Sequence, residues 1–294
     1  MEFELHGGFE GRRAWCHTGG RPFDATLPAI VFLHGAQHDH SVWGLPSRWF
    51  AHHGHAVLAP DLPGHGRSAG PALRSVEAMA DWVLAVLDAA GVESAILAGH
   101  SMGSLIALEA SARAPARVRA LALLGTTWPM KVADALLATA RDDEPAAIDM
   151  VNIWSHGALL AHGPSAPAPG FSVPNMNRRL MQHVARRGEP HQLHTDFSAC
   201  NAYAGGGAAA ASVACPTLFI LGRRDVMTPP RSAQGLVGAV PGATVVCVDA
   251  GHAMMAEQPD AVLDALAGFA AGIRNNDNPT QETGHGSRPL PELR

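Results

Sequence analysis

The stretch Gly99-His100-Ser101-Met102-Gly103 sets a serine between two glycines, where the apolar run 94–101 gives way to a helical pattern. A serine hydroxyl is a poor nucleophile at neutral pH and needs a base to accept its proton. On a tight strand-to-helix turn the hydroxyl stands clear of the backbone. Cβ atoms two residues to either side would strike the neighbouring strand and helix, which explains the glycines. A helix starting at Met102 also points its first N–H groups at any negative charge forming beside Ser101. The pattern reads as a nucleophile and its mount.

The base is sought among 17 histidines. His252, in VDAGH, follows the last apolar run on the loop opening the final helix. A loop leaving the C-terminal end of a strand faces the same sheet edge as Ser101. His34, His65 and His100 belong to turn motifs, and the histidines of the middle segment read as surface or structural. The base needs an acid to fix its tautomer and stabilise the imidazolium. Asp225, in GRRD, follows the run 216–222 on that edge. Asp249 precedes His252 by only three residues on the incoming strand, an awkward spacing for a side-chain bond.

Negative charge on the attacked carbonyl requires N–H donors, assigned to the backbone of Ala36, in LHGA, and Met102. Losing one such donor typically costs roughly 3 kcal/mol of transition-state stabilisation. His38, Asp39 and His40 superficially resemble a metal cluster, but alternate residues of an irregular loop rarely converge on one ion. Neither a metal nor an organic cofactor is expected. Asp61, in PDLPGHGRS, reads as part of a turn built by Pro63, Gly64 and Gly66. An imidazole base works only when neutral, so activity is expected to rise with pH through roughly 6 to 7.

The runs 29–35, 55–61, 94–101, 119–125, 216–222 and 243–251 are nearly continuous in Val, Ile, Leu and Ala, as strands covered on both faces should be. Between them, Met79, Trp82, Val83, Val86, Leu87 and Ala90 share one helix face, with Ser75 as cap and Gly91 as stop. Further helices are expected over about 102–114, ended by Pro115, and about 261–273. Alternation of this kind implies an α/β fold with a doubly wound, mostly parallel sheet. From about Thr127 to Cys215 no strand signal occurs, and this segment reads as an inserted helical cap. The expected division is core over 1–126, cap and return segment over 127–214, core again over 215–274, and a disordered polar tail over 275–294. Trp128, Met130, Trp154 and Met254, with Phe171 and Met255, either line a substrate pocket or fix the cap to the core.

The 294 residues are 47% apolar and 16% charged, with a formal charge of −5. This composition suits a filled globular core, and the absence of a basic block argues against nucleic acid. No apolar stretch is long enough to span a membrane and no secretory leader is visible, so a cytoplasmic location is expected. Cys16, Cys200, Cys215 and Cys247 lack CxxC spacing and read as buried free thiols.

The order serine, acid, histidine resembles that of the α/β-hydrolase superfamily. LHGA is similar to its oxyanion loop, PDLPGHGRS to the turn after its next strand, GHSMG to its nucleophile elbow, and GRRD with DAGH to its acid and base. The similarity covers about Ile30–Ile273, least well in the cap. It implies a Ser101–Asp225–His252 triad of the serine esterase or lipase-like branch. Ser101 departs from the aspartate of epoxide hydrolases and haloalkane dehalogenases. His100 and HGAQHD depart from the carbon–carbon hydrolases, and Ala36 from the aromatic residue of cofactor-free haloperoxidases. A serine hydrolase of small to medium carboxylic esters is therefore expected. A carbon–carbon hydrolase, lactonase or acyltransferase on the same triad stays open, as does a ligand-binding protein that keeps only the fold.

Overall fold

Each apolar run becomes a strand because successive side chains feed two different cores. In the computed structural model, which describes residues 1–157 and 172–277, these runs form β3 (Ala29–Leu33), β4 (Ala56–Pro60), β5 (Ala95–His100), β6 (Val118–Leu124), β7 (Thr217–Gly222) and β8 (Thr244–Val248). Val31, Leu33, Leu97, Leu121 and Phe219 pack on one side of the sheet. Ile30, Phe32, Ile96, Ala98 and Ile220 pack on the other. Two further strands, β1 (Glu2–Glu4) and β2 (Arg13–His17), extend the edge. The order is β1-β2-β4-β3-β5-β6-β7-β8, with only β1 and β2 antiparallel to their neighbours.

Helices close both faces: α1 (Gly44–His52), α2 (Val76–Ala89), α3 (Met102–Arg113), α9 (Pro230–Ala239), the short α10 (Met254–Glu257) and α11 (Pro259–Asp277). The start of α2 follows the sequence closely. The Ser75 side chain accepts the Ala78 N–H, and Gly91, at φ +67°, lies just past the end. Between β6 and β7 come α4 (Asp134–Asp142), α5 (Glu144–Trp154), α6 (Val173–Arg187), α7 (Gln192–Ala202) and α8 (Gly206–Ser212). Leu136, Ile148, Val151, Met181, Leu193 and Phe197 give this insertion an apolar cluster of its own. α8 instead packs on α3 and α9.

Three expectations need correction. β8 is an edge strand rather than a buried one, with Thr244, Val245 and Cys247 exposed. The four cysteines are free, but only Cys16 and Cys200 are buried; Cys215 is half-buried and Cys247 faces solvent. α11 continues through Asp277, past the expected start of the tail, while 278–294 lie outside the described residues, as do Phe171 and most of the Gly/Pro-rich stretch before it. Among the described residues no helix is long and apolar enough to cross a membrane.

Candidate active site

Ser101 sits at the end of β5 with φ +53° and ψ −119°, a conformation that costs a non-glycine residue on the order of 1–3 kcal/mol. The surrounding backbone holds it there. Its N–H donates to the Leu124 carbonyl at 2.9 Å, and its carbonyl accepts the Ser104 hydroxyl at 2.5 Å. The flanking glycines are required by space: a Cβ on Gly99 would run into the Gly103 carbonyl, and one on Gly103 into the Leu33 carbonyl.

His252 follows β8 and is buried. Its Nδ1–H donates to Asp225 Oδ2 at 2.8 Å, which leaves the lone pair on Nε2. Asp225 also accepts the Met227 and Thr228 N–H groups, both at 2.8 Å, and the Thr228 hydroxyl at 2.7 Å. Burial alone would raise its pKa, but the His252 ring and the Thr228 donors outweigh burial and hold it well below the usual carboxylate range. Asp249, the rejected alternative, pairs with Arg224 at the surface at 3.1 Å. Thr228 was not singled out from sequence, although a hydroxyl three residues after an aspartate is a recurrent local capping signal.

The loop after β3 is set by side chains from several elements. His34 accepts the Leu62 N–H on Nε2 at 3.0 Å, so its Nδ1–H donates to the Gly35 carbonyl at 2.8 Å. That bond orients the Gly35–Ala36 peptide, whose other end is the Ala36 N–H. Burial, then the neighbouring His65, keeps the His34 ring neutral, with its pKa lowered to about 4. Met102 is the first residue of α3, so its N–H lacks an intrahelical acceptor. His100 donates Nε2–H to the His252 carbonyl at 2.9 Å and is held neutral by burial and by His252. Ligand atoms of Asp39, His40 and Asp61 lie within 4.8 Å of one another, so two residues of this loop do converge, against expectation, and with Asp61 in place of His38. Asp61 spends both oxygens closing turns, on the His40 N–H and ring and on the Arg67 N–H.

Ala36, Ser101 and His252 share a cavity of about 220 Å³, with Met130, Leu136 and Phe197 of the insertion on its far wall. Trp154 and Met227 also line it. Two pocket candidates lie elsewhere. The Trp128 indole N–H donates to the Tyr203 carbonyl, and its ring rests on Gly206 and Gly207, where a Cβ would collide. Met254 turns into the core beneath α11, and its neighbour Met255 lines a second cavity of about 250 Å³. This second cavity shares His252 but not Ser101, and is bounded by His38, Leu45, His100 and Asn177. Glu257 ties the insertion to the His252 loop by accepting the Gly251 and Gly157 N–H groups, each at 3.0 Å.

A family model described as "Alpha/beta hydrolase family" matches residues 30–265, most of the chain. The chain belongs to the alpha/beta hydrolase family. Within that family it is 31% identical over 236 residues to RutD, a candidate carbamate hydrolase of Azorhizobium caulinodans, covering 74% of this chain and 82% of that one. It is 30% identical over 267 residues to the pimeloyl-[acyl-carrier protein] methyl ester esterase of Xanthomonas campestris pv. campestris, covering 84% and 96%. Its fold matches the crystal structure of the enol-lactonase from Burkholderia xenovorans LB400 with a TM-score of 0.77, at 24% identity, over 92% of this chain and 100% of that one.

Proposed function

We propose that this alpha/beta hydrolase is a serine esterase acting through an acyl-enzyme. The observation that carries the reading is one cavity holding both Ser101 and His252, with His252 braced on the buried Asp225. In acylation, Ser101 Oγ bonds to the ester carbonyl carbon while His252 Nε2 takes its proton. The carbonyl oxygen, now negative, lies against the N–H groups of Ala36 and Met102. His252 then passes the proton to the departing alkoxide as the carbon–oxygen bond breaks. A water repeats the sequence, losing its proton to His252 and displacing Ser101 to release the acid.

The cavity containing Ser101 is assigned to the acyl part, with α4–α7 as its cap. The cavity that meets His252 alone is assigned to the leaving alcohol, because the leaving oxygen must reach Nε2. A volume of about 220 Å³ suits short and medium acyl chains better than a palmitoyl chain.

The test is hydrolysis of p-nitrophenyl acetate, butyrate, octanoate and palmitate by the wild type beside Ser101→Ala. Turnover greatest with butyrate or octanoate, and lost in the variant, is expected. Turnover that survives Ser101→Ala overturns the proposal. Labelling of Ser101 by a fluorophosphonate without ester turnover redirects the reading to lactones, in line with the enol-lactonase neighbour.

A further inference from the structure

We propose that Asp196, in the inserted helix α7, is a positioning residue for the oxyanion loop, so that the insertion and not only the core aligns the Ala36 donor. This inference rests on the esterase reading. Asp196 is fully buried and lies far along the chain from the loop it touches. Its Oδ2 accepts the Gln37 backbone N–H and the His65 ring Nε2–H, both at 2.9 Å. Its Oδ1 accepts the Gln192 side-chain amide at 2.7 Å.

Gln37 is the residue that most needs holding. It sits at φ +56°, a left-handed conformation that a glutamine does not choose unaided. Its N–H and the Ala36 carbonyl are the two ends of one peptide group. Asp196 grips the first. His38 Nδ1 meets the second at 2.7 Å, and His38 is braced in turn by Asn177 of α6 at 2.9 Å. With that peptide fixed by α7 and α6, and the preceding one by His34, the Ala36 N–H is held between two anchored peptide groups beside the cavity that Ser101 lines. α7 does a second job: Phe197 and Cys200, one and four residues past Asp196, line the cavity with Ser101. One helix thus shapes the acyl wall and holds the donor loop in register with it.

Neither a buried aspartate nor a distant glutamine amide marks this arrangement in the sequence. The contact joins positions separated by 159 residues.

The test compares Asp196→Ala, Asp196→Asn and wild type on p-nitrophenyl butyrate, with the affinity of a short alkylboronic acid as mimic of the tetrahedral intermediate. Ser101 labelling by a fluorophosphonate counts the folded sites in each preparation. Asp196→Ala is expected to lower kcat about 10- to 100-fold and weaken boronate binding in parallel, with KM within about twofold. Asp196→Asn keeps an oxygen for the Gln37 N–H, because the Gln192 amide can turn to accept from the new NH₂. It is expected to recover most of the loss. Should Asp196→Ala fail to fold, Gln192→Leu unseats Oδ1 alone and is expected to give a smaller kcat loss with the same unchanged KM. Variants that fold yet keep kcat and boronate affinity within twofold of wild type overturn the proposal. A wild type that neither turns over ester nor labels at Ser101 would instead defeat the esterase reading itself.

Discussion

Asp225 gathers four donors on two oxygens, and this fixes what an isosteric change would do. The carboxylate asks His252 for a proton on Nδ1, so the free lone pair is on Nε2. An amide at position 225 can satisfy the Thr228 and Met227 N–H groups with its oxygen, but then offers its NH₂ to the ring. His252 would answer with a lone pair on Nδ1 and a proton on Nε2, the tautomer unable to take a proton from Ser101. Asp225→Asn is therefore expected to lower kcat about 10³- to 10⁴-fold with little change in KM. Steady-state kinetics check this, and a loss smaller than tenfold would argue that another group orients the base. The sequence alone nominates Ser101, Asp225 and His252 because each follows a strand in a recognisable local motif. Thr228 and Asp196 were not: the first is a secondary partner, and the second acts across 159 residues.

At the level of elements, the contact between β5, α3 and the end of β3 leaves no room for side chains at the elbow. Gly103 lies in the first turn of α3, where helix propensity alone favours alanine by about 1 kcal/mol. The Leu33 and His34 carbonyls occupy the space its Cβ would need, and these atoms are backbone. Gly103→Ala is thus expected to destabilise by about 1–3 kcal/mol or more, against propensity. Urea unfolding beside wild type measures it; an unchanged or raised midpoint would mean that β3 can yield. The same distinction between local and distant causes decides which elements were legible. The six parallel strands announced themselves because most are apolar on both faces. β1 and β2 did not, since only alternate residues there are buried. β8 announced itself as buried yet is an edge, because Val245, Val246 and Cys247 carry strand propensity without a neighbour to cover them. Between β6 and β7 the described residues are helical, in keeping with the missing strand signal, but their packing depends on pairs such as His38 with Asn177 and Glu257 with Gly157, which no local pattern encodes.

Over the whole molecule, buried histidines of two kinds set how stability responds to pH. His34, His38 and His100 are held neutral below their ordinary range by burial. As pH falls from about 6.5, the unfolded chain takes up protons that these rings refuse, so the folded state loses stability, at up to about 1.4 kcal/mol per pH unit for each. His65 is the opposite case. Burial disfavours its charge, but Asp196 outweighs burial and raises its pKa. Both ring nitrogens face acceptors, Asp196 Oδ2 at 2.9 Å and the Pro63 carbonyl at 3.2 Å, and the charge of the Asp196 carboxylate is what favours the imidazolium here. Its contribution is complete below about 6.5, the unfolded value, and drains away as pH rises through the higher folded value. The two effects act on opposite sides of neutrality. Urea unfolding of wild type and His65→Gln between pH 5 and 9 separates them. Both proteins are expected to weaken together on the acid side, where His34, His38 and His100 are common to them. On the alkaline side the advantage of wild type over His65→Gln should shrink steadily from pH 6 to pH 9. A gap that stays constant or widens over that range would mean that His65 is held neutral, and that the link between α7 and the oxyanion loop carries no buried charge pair.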